Sequence, residues 1–199
     1  MLDMINIKKN PISLLIFMIS AIIFLIAIVT DPDNIRFLAF DYARLPQNWF
    51  AILTYGFVHV DWNHFIINMG LLLWIGIWVE RLIGSKRFIL LVISGILTGG
   101  LTLVLRETAG IGFSAGAAAL LFYYHFAFPM KRELPLELPN IVLPILLLII
   151  SIGSIIFGWL PGVGHYPHLA GALVGVIFLG IFHKDHRPIE EDSDMAYSV

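Results

Sequence analysis

The sequence predicts an all-α membrane protein, a bundle of six transmembrane helices with both termini in the cytoplasm. Three observations carry this. The 199-residue chain is 59% hydrophobic and only 13% charged, whereas soluble domains are about half apolar and about a quarter charged. Six apolar stretches come near the roughly 20 residues a spanning helix needs. The basic residues also fall mostly on one side of those stretches.

The candidate spans run at about 11–30, 61–80, 88–106, 114–130, 140–159 and 166–183. The first follows Lys8 and Lys9, as the apolar core of a signal peptide would. It is too long for one and lacks a small-x-small cleavage site, so it reads as an uncleaved span. The fourth is short, and the second and sixth carry histidines. An N-terminus inside places Lys8, Lys9, Arg81, Lys86, Arg87, Lys131, Arg132, Lys184 and Arg187 in the cytoplasm. Only Arg36, Arg44 and Arg106 are left outside, a clear positive-inside bias. The outside loops are then 31–60, 107–113 and 160–165. The first carries Pro32, Arg36, Tyr42, Trp49 and Phe50, a mixture suited to lying in the membrane interface. Residues 1–187 form the membrane domain, and 188–199 an acidic cytoplasmic tail expected to be disordered. The asymmetry suits an integral, multi-pass protein of the plasma membrane.

The chain has no cysteine, which excludes disulfides and thiolate chemistry. The net charge of −2 comes with no basic stripe, so nucleic acid is not an expected partner. The expected partners are membrane lipid and transmembrane proteins. No cofactor or metal is expected.

Polar groups inside a span are costly and face the protein interior. Ser114, His168 and His64 lie 17, 16 and 17 residues before Lys131, Lys184 and Arg81, about 24–25 Å at 1.5 Å per residue. Three helices thus bring a serine and two histidines to one depth, with Asn68 a turn below His64 on the same face. Alone, each has a bland reading: a packing serine, or a histidine hydrogen-bonded between helices. Together they suffice for acyl transfer. Ser114 is a nucleophile once a base takes its proton, and His168 can be that base. The backbone N–H of Ser114, at a helix start, and the side chains of His64 and Asn68 can donate to an oxyanion. Gly112 lets the preceding loop turn sharply. Gly171 and Gly175 form a small-xxx-small face, matched by Ala115, Gly116, Ala117, Ala118 and Ala119. Asp61 reads as the N-cap of the second span. His59 is placed nearer the surface, bracing a loop or supporting the site. His125 reads as a packing group, and His165 as solvated.

The segments "HVDWNHFIIN", "GFSA" and "HLAGALVG" together resemble the rhomboid intramembrane serine proteases. They fit H-x4-H-x3-N (His59, His64, Asn68), G-x-S (Ser114) and H-x2-G-x3-G (His168, Gly171, Gly175). "WVERLIGSKRF" resembles the family's turn after the second span, with Glu80 and Gly84. The likeness runs from about Trp49 to Gly175. It implies a six-span core, a Ser114–His168 dyad working through an acyl-enzyme, and cleavage of a substrate's transmembrane segment near the outer face. The chain departs from common rhomboid residues at Phe50 (arginine), Ala115 (glycine) and Ala118 (tyrosine). Two other classes compete. A non-catalytic relative that binds transmembrane clients predicts loss of the serine or histidine, and both are present. A histidine-lined transporter predicts intramembrane carboxylates and inverted repeats, and neither is visible.

Overall fold

The computed structural model describes residues 11–59, 61–133 and 135–186. Lys8, Lys9, Arg187 and the acidic tail lie outside the described residues. Seven α-helices organise the described residues: α1 (Pro11–Val29), α2 (Ala51–Thr54), α3 (Trp62–Ile83), α4 (Ser85–Leu105), α5 (Ser114–Ala127), α6 (Val142–Phe157) and α7 (His165–Phe182). Each of the six apolar stretches is helical. By length and composition, α1, α3, α4 and the α7 segment continued to Asp185 can cross a membrane. The other two fall short of the expected spans, α5 at 14 residues and α6 at 16. The reason is local. Pro129 disfavours helix at Phe128, whose φ of −130° and ψ of 60° end α5 at Ala127. Gly158, left-handed at φ 69°, closes α6.

Helix α5 is the centre of the molecule, and Ala115 through His125 are buried without interruption. It packs against both α4 and α7, which also pack against each other, and the contacts are made by small residues. A Cβ added to Gly95 of α4 would come 2.9 Å from the Ala119 Cβ, and one on Gly99 would come 2.6 Å from the Ala115 Cβ. On the other side Gly171 meets the Ala115 carbonyl and Gly175 the Ala119 carbonyl. Gly116 is a correction to the expected pairing with α7. A Cβ there would meet the Phe113 ring at 3.0 Å and Ile96 of α4 at 3.4 Å.

Helix α3 is capped by Asp61, whose carboxylate accepts the His64 N–H at 2.8 Å. Residues Leu72–Gly76 make a π-helical turn inside it. Near its far end Glu80, 1% exposed, accepts from the Ile12 N–H (3.0 Å), the Ser13 N–H (2.8 Å) and the Ser13 hydroxyl (2.7 Å). It also accepts from the Ser85 hydroxyl at 2.6 Å. Orphan N–H groups of the first turn of α1 are thereby satisfied by a carboxylate from another helix.

The 31–59 segment is a folded layer of short helical turns. Asn48 Nδ2 donates to the Phe37 carbonyl and the Thr54 hydroxyl to that of Leu38, both at 2.8 Å. Trp49 remains 69% exposed. Phe40–Asp41 (β1) pairs antiparallel with Ala109–Gly110 (β2), the one strand pairing among the described residues and an addition to the expected all-α fold.

Candidate active site

The segment before Ser114 is held from three directions. Phe40 pairs with Gly110 across the two strands. The Gly112 N–H donates to the Tyr55 carbonyl at 2.8 Å. The Phe113 N–H donates to His59 Nε2 at 3.4 Å. Tyr55 is itself fixed by its hydroxyl, which donates to the Ile96 carbonyl of α4 at 2.8 Å. Gly112 has φ +105°, a region that L side chains rarely adopt, and the His64 ring lies where its Cβ would be. The chain so directed enters α5 at Ser114, which places that residue among the helix's first-turn N–H groups.

A cavity of about 1070 Å³ opens above Ser114. Ser114, His64, Asn68 and His168 all line it, so one space joins α3, α5 and α7. Close packing of α7 on α5 through Gly171 sets the distance between the serine and histidine helices. The Ser114 hydroxyl and the His168 ring share the cavity without a hydrogen bond between them. In a substrate-free site such bonds are often long and tighten in the complex. Asn68 is buried, and its Nδ2 donates to the His64 carbonyl one turn back at 2.9 Å. An amide nitrogen carries two protons, so this bond uses one of the two N–H groups of Asn68, a residue that lines the cavity.

His59 does not line the cavity. It is fully buried, with its ring edge-on to His64 at 4.9 Å and to Phe65 at 5.6 Å. Burial, then the adjacent His64, push its pKa down to about 4, against the opposing pull of the Phe57 carbonyl and Asp61. The ring is neutral at physiological pH, and its Nε2 is free to accept the Phe113 N–H. His165 is also a correction. It is only 8% exposed, begins α7, bonds through Nε2 to the Leu160 carbonyl at 3.1 Å, and sets its ring 6.0 Å from that of His168. His125 lies away from the cavity, with Nδ1 at 2.9 Å from the Leu121 carbonyl.

Several lining residues carried no signal in the sequence beyond being charged and outside. Arg36, Arg44 and Arg106 all reach this cavity. Arg44 pairs with Asp41 at 3.4 Å, and the Arg106 guanidinium lies 4.7 Å from the centre of the Tyr166 ring. Tyr55 was detectable only as one aromatic among many.

A family model described as the rhomboid domain matches residues 46–185, the stretch that contains every residue lining the cavity except Arg36, Ala39, Phe40, Asp41 and Arg44. The chain belongs to the rhomboid family. It is also similar to the rhomboid protease GlpG of Haemophilus influenzae, 24% identical over 176 residues that cover 86% of this chain and 90% of the relative. Within the rhomboid match fall all three histidines of the cavity and the serine. The match starts after α1, which joins the domain through Glu80.

Proposed function

We propose that this rhomboid is an intramembrane serine endopeptidase that hydrolyses peptide bonds in or near transmembrane segments of membrane proteins. One observation carries the reading: Ser114 at the start of α5 and His168 of α7 open onto the same cavity as the donors His64 and Asn68. Ser114 Oγ attacks the scissile carbonyl while the His168 ring takes its proton. The tetrahedral oxyanion accepts from the Ser114 N–H, the His64 ring and the second N–H of Asn68, with the positive end of α5 aimed at it. The C–N bond breaks, His168 returns the proton to the leaving amine, and an acyl-enzyme on Ser114 remains. Water, activated by His168, hydrolyses that ester and restores the serine. His59 is a positioning residue that acts through the Phe113 N–H.

The basic asymmetry supports six passes with both termini in the cytoplasm, and a cavity opening to the outer side of the plasma membrane. The two short helices fit this topology. A helix that starts at a buried water-accessible cavity need not reach the far surface. Ser–His chemistry needs no metal or cofactor, so chelation by EDTA should leave activity unchanged.

The test is labelling of the purified protein by a fluorophosphonate, which reacts with an activated serine, together with cleavage of generic single-span substrates followed by mass spectrometry of the cut ends. Ser114→Ala should abolish both. Cleavage above about a tenth of wild type in that variant, a loss of only about 1.4 kcal/mol, would remove Ser114 as nucleophile.

A further inference from the structure

One buried nitrogen beside the dyad has no part in the chemistry so far. His165 is the first residue of α7, only 8% exposed, and it lines the same cavity as His168 one turn later. Its Nε2 lies 3.1 Å from the Leu160 carbonyl. A carbonyl oxygen only accepts, so Nε2 carries the proton and Nδ1 keeps a lone pair. That Nδ1 is buried and has no hydrogen-bond partner. Buried polar atoms are nearly always paired, and an orphan among them calls for a reason.

The reason lies in the next turn. The His165 and His168 rings stand edge to face at 86°, with centres 6.0 Å apart, and residues three apart share a helix face. To take the serine proton, His168 turns its lone pair to Ser114, so its own N–H is on the other ring nitrogen. Once the proton is taken, the ring is a cation with two N–H groups. The carboxylates that line the cavity are Asp41 and Asp61. Asp41 is engaged by Arg44 and the Ala43 N–H, and Asp61 by the His64 N–H that it caps. A charge withdrawn from water is costly unless it is hydrogen-bonded, and the acceptor on the same helix face is His165 Nδ1.

Resting on the reading of Ser114 and His168 as the dyad, we propose that His165 is a positioning residue whose Nδ1 accepts the second N–H of His168, directly or through one water, and stabilises the imidazolium. When Ser114 Oγ bonds to the scissile carbon, its proton passes to one His168 nitrogen and the carbonyl electron pair moves onto oxygen. The other His168 nitrogen keeps its proton throughout and shares it with His165. When the C–N bond breaks, the first proton leaves with the amine. His165 takes no proton itself, and the Leu160 carbonyl fixes the tautomer in which it accepts.

Two substitutions separate this role from that of bracing the loop. Asparagine places an oxygen where Nδ1 stands but is too short to reach the Leu160 carbonyl. Glutamine reaches that carbonyl with its amide but has no acceptor at the Nδ1 place. The probe is a fluorophosphonate, applied to the full-length protein in detergent. The serine oxygen bonds to phosphorus, fluoride leaves with the electron pair of the P–F bond, and the serine proton goes to His168. The step thus makes the imidazolium without a leaving amine. His165→Gln should lower the maximal labelling rate at least about tenfold, with the half-saturating concentration within about twofold of wild type. His165→Asn should recover most of that rate, although it loses the Leu160 bond. His165→Leu, with no acceptor at all, should label as slowly as His165→Gln. Rates are taken below the melting temperature of the least stable variant. Equal rates for the asparagine and glutamine variants, or a faster glutamine variant, would overturn the proposal, as would a leucine variant that labels like wild type. A wild-type protein that the fluorophosphonate does not label at Ser114 would instead overturn the dyad reading on which it rests.

Discussion

Gly171 of α7 rests directly on the backbone carbonyl of Ala115, the residue after Ser114. A methyl group at 171 has a peptide unit in its place, not the tip of a movable side chain, so the helices must separate. The same turn carries His168, and a shift of about 1 Å between reacting groups can cost about 100-fold in rate. Gly171→Ala should therefore already lower both thermal stability, by about 1–3 kcal/mol, and cleavage, and Gly171→Leu should nearly abolish cleavage. Gly175→Ala, one turn further from the base, should lose stability with a smaller loss of rate. Melting temperatures and cleavage rates for the three variants check this, and wild-type behaviour of the leucine variant would refute the contact.

Glu80 holds α1 to the rest of the bundle through three donors and accepts a fourth bond from Ser85 of α4. Hydrogen bonds to a charged group each contribute about 1.5–3 kcal/mol and are not additive. Glu80→Ala should lower the melting temperature markedly and expose α1 to protease. In a double-mutant cycle with Ser13→Ala, the two losses should sum to more than the double variant shows, by about 0.5–3 kcal/mol. Strict additivity would mean that the Ser13 contact contributes nothing.

Asn68→Ala should reduce turnover more than apparent substrate affinity, because its donor acts on charge that develops in the transition state. One lost oxyanion donor costs about 100-fold or more, less where His64 and the Ser114 N–H remain. Steady-state kinetics decide it: a variant that only raises KM would move Asn68 to substrate docking.

Glu133 supplies a pH-dependent anchor for the segment after α5. Burial raises its pKa, but bonds from Lys131, Asn140 and Tyr124 outweigh burial and leave it below the ordinary 4.5. The Lys131 ammonium is 2.6 Å away, and the Tyr124 hydroxyl and Asn140 amide donate at 2.9 and 3.0 Å. A depressed carboxylate stabilises the fold above its unfolded pKa, and that contribution fades as pH falls through the folded value. Wild type should therefore melt above Glu133→Gln at pH 6–7, and the gap should close progressively below about pH 4.5. A gap that stays constant down to pH 3 would show that the bonds do not depend on the charge.

The sequence was most legible where chemistry and helical period coincide. The apolar stretches located the helices, and counting back from Lys131, Lys184 and Arg81 put Ser114, His168 and His64 at one level, where all three line one cavity. Boundaries were less legible: the weight given to hydrophobicity carried the fourth stretch past Pro129. The strand pair Phe40–Gly110 was invisible because a two-residue strand has no period to read. His165 was expected to be solvated because the sixth stretch was read as starting at Tyr166; the helix starts one residue earlier, and the preceding loop folds back so that its ring meets the Leu160 carbonyl. The partners of Glu80 lie 67 and 68 residues away in sequence, beyond any local pattern.

The π-helical turn at Leu72–Gly76 has a consequence for how this helix tolerates change in length. Such a turn accommodates one extra residue in the hydrogen-bond ladder, and one residue is worth about 100° of rotation. His64 and Asn68 lie on one side of it and Glu80 on the other, so α3 has two phases joined at a splice. Removing a single residue between 72 and 76 would let the helix run regularly. It would leave the donors facing the cavity and the carboxylate facing α1, because the turn already absorbs the rotation that the extra residue would otherwise impose. The same deletion elsewhere in α3 would misalign one end without restoring a regular ladder. The splice is therefore the place where α3 can lose one residue while its two ends keep their faces.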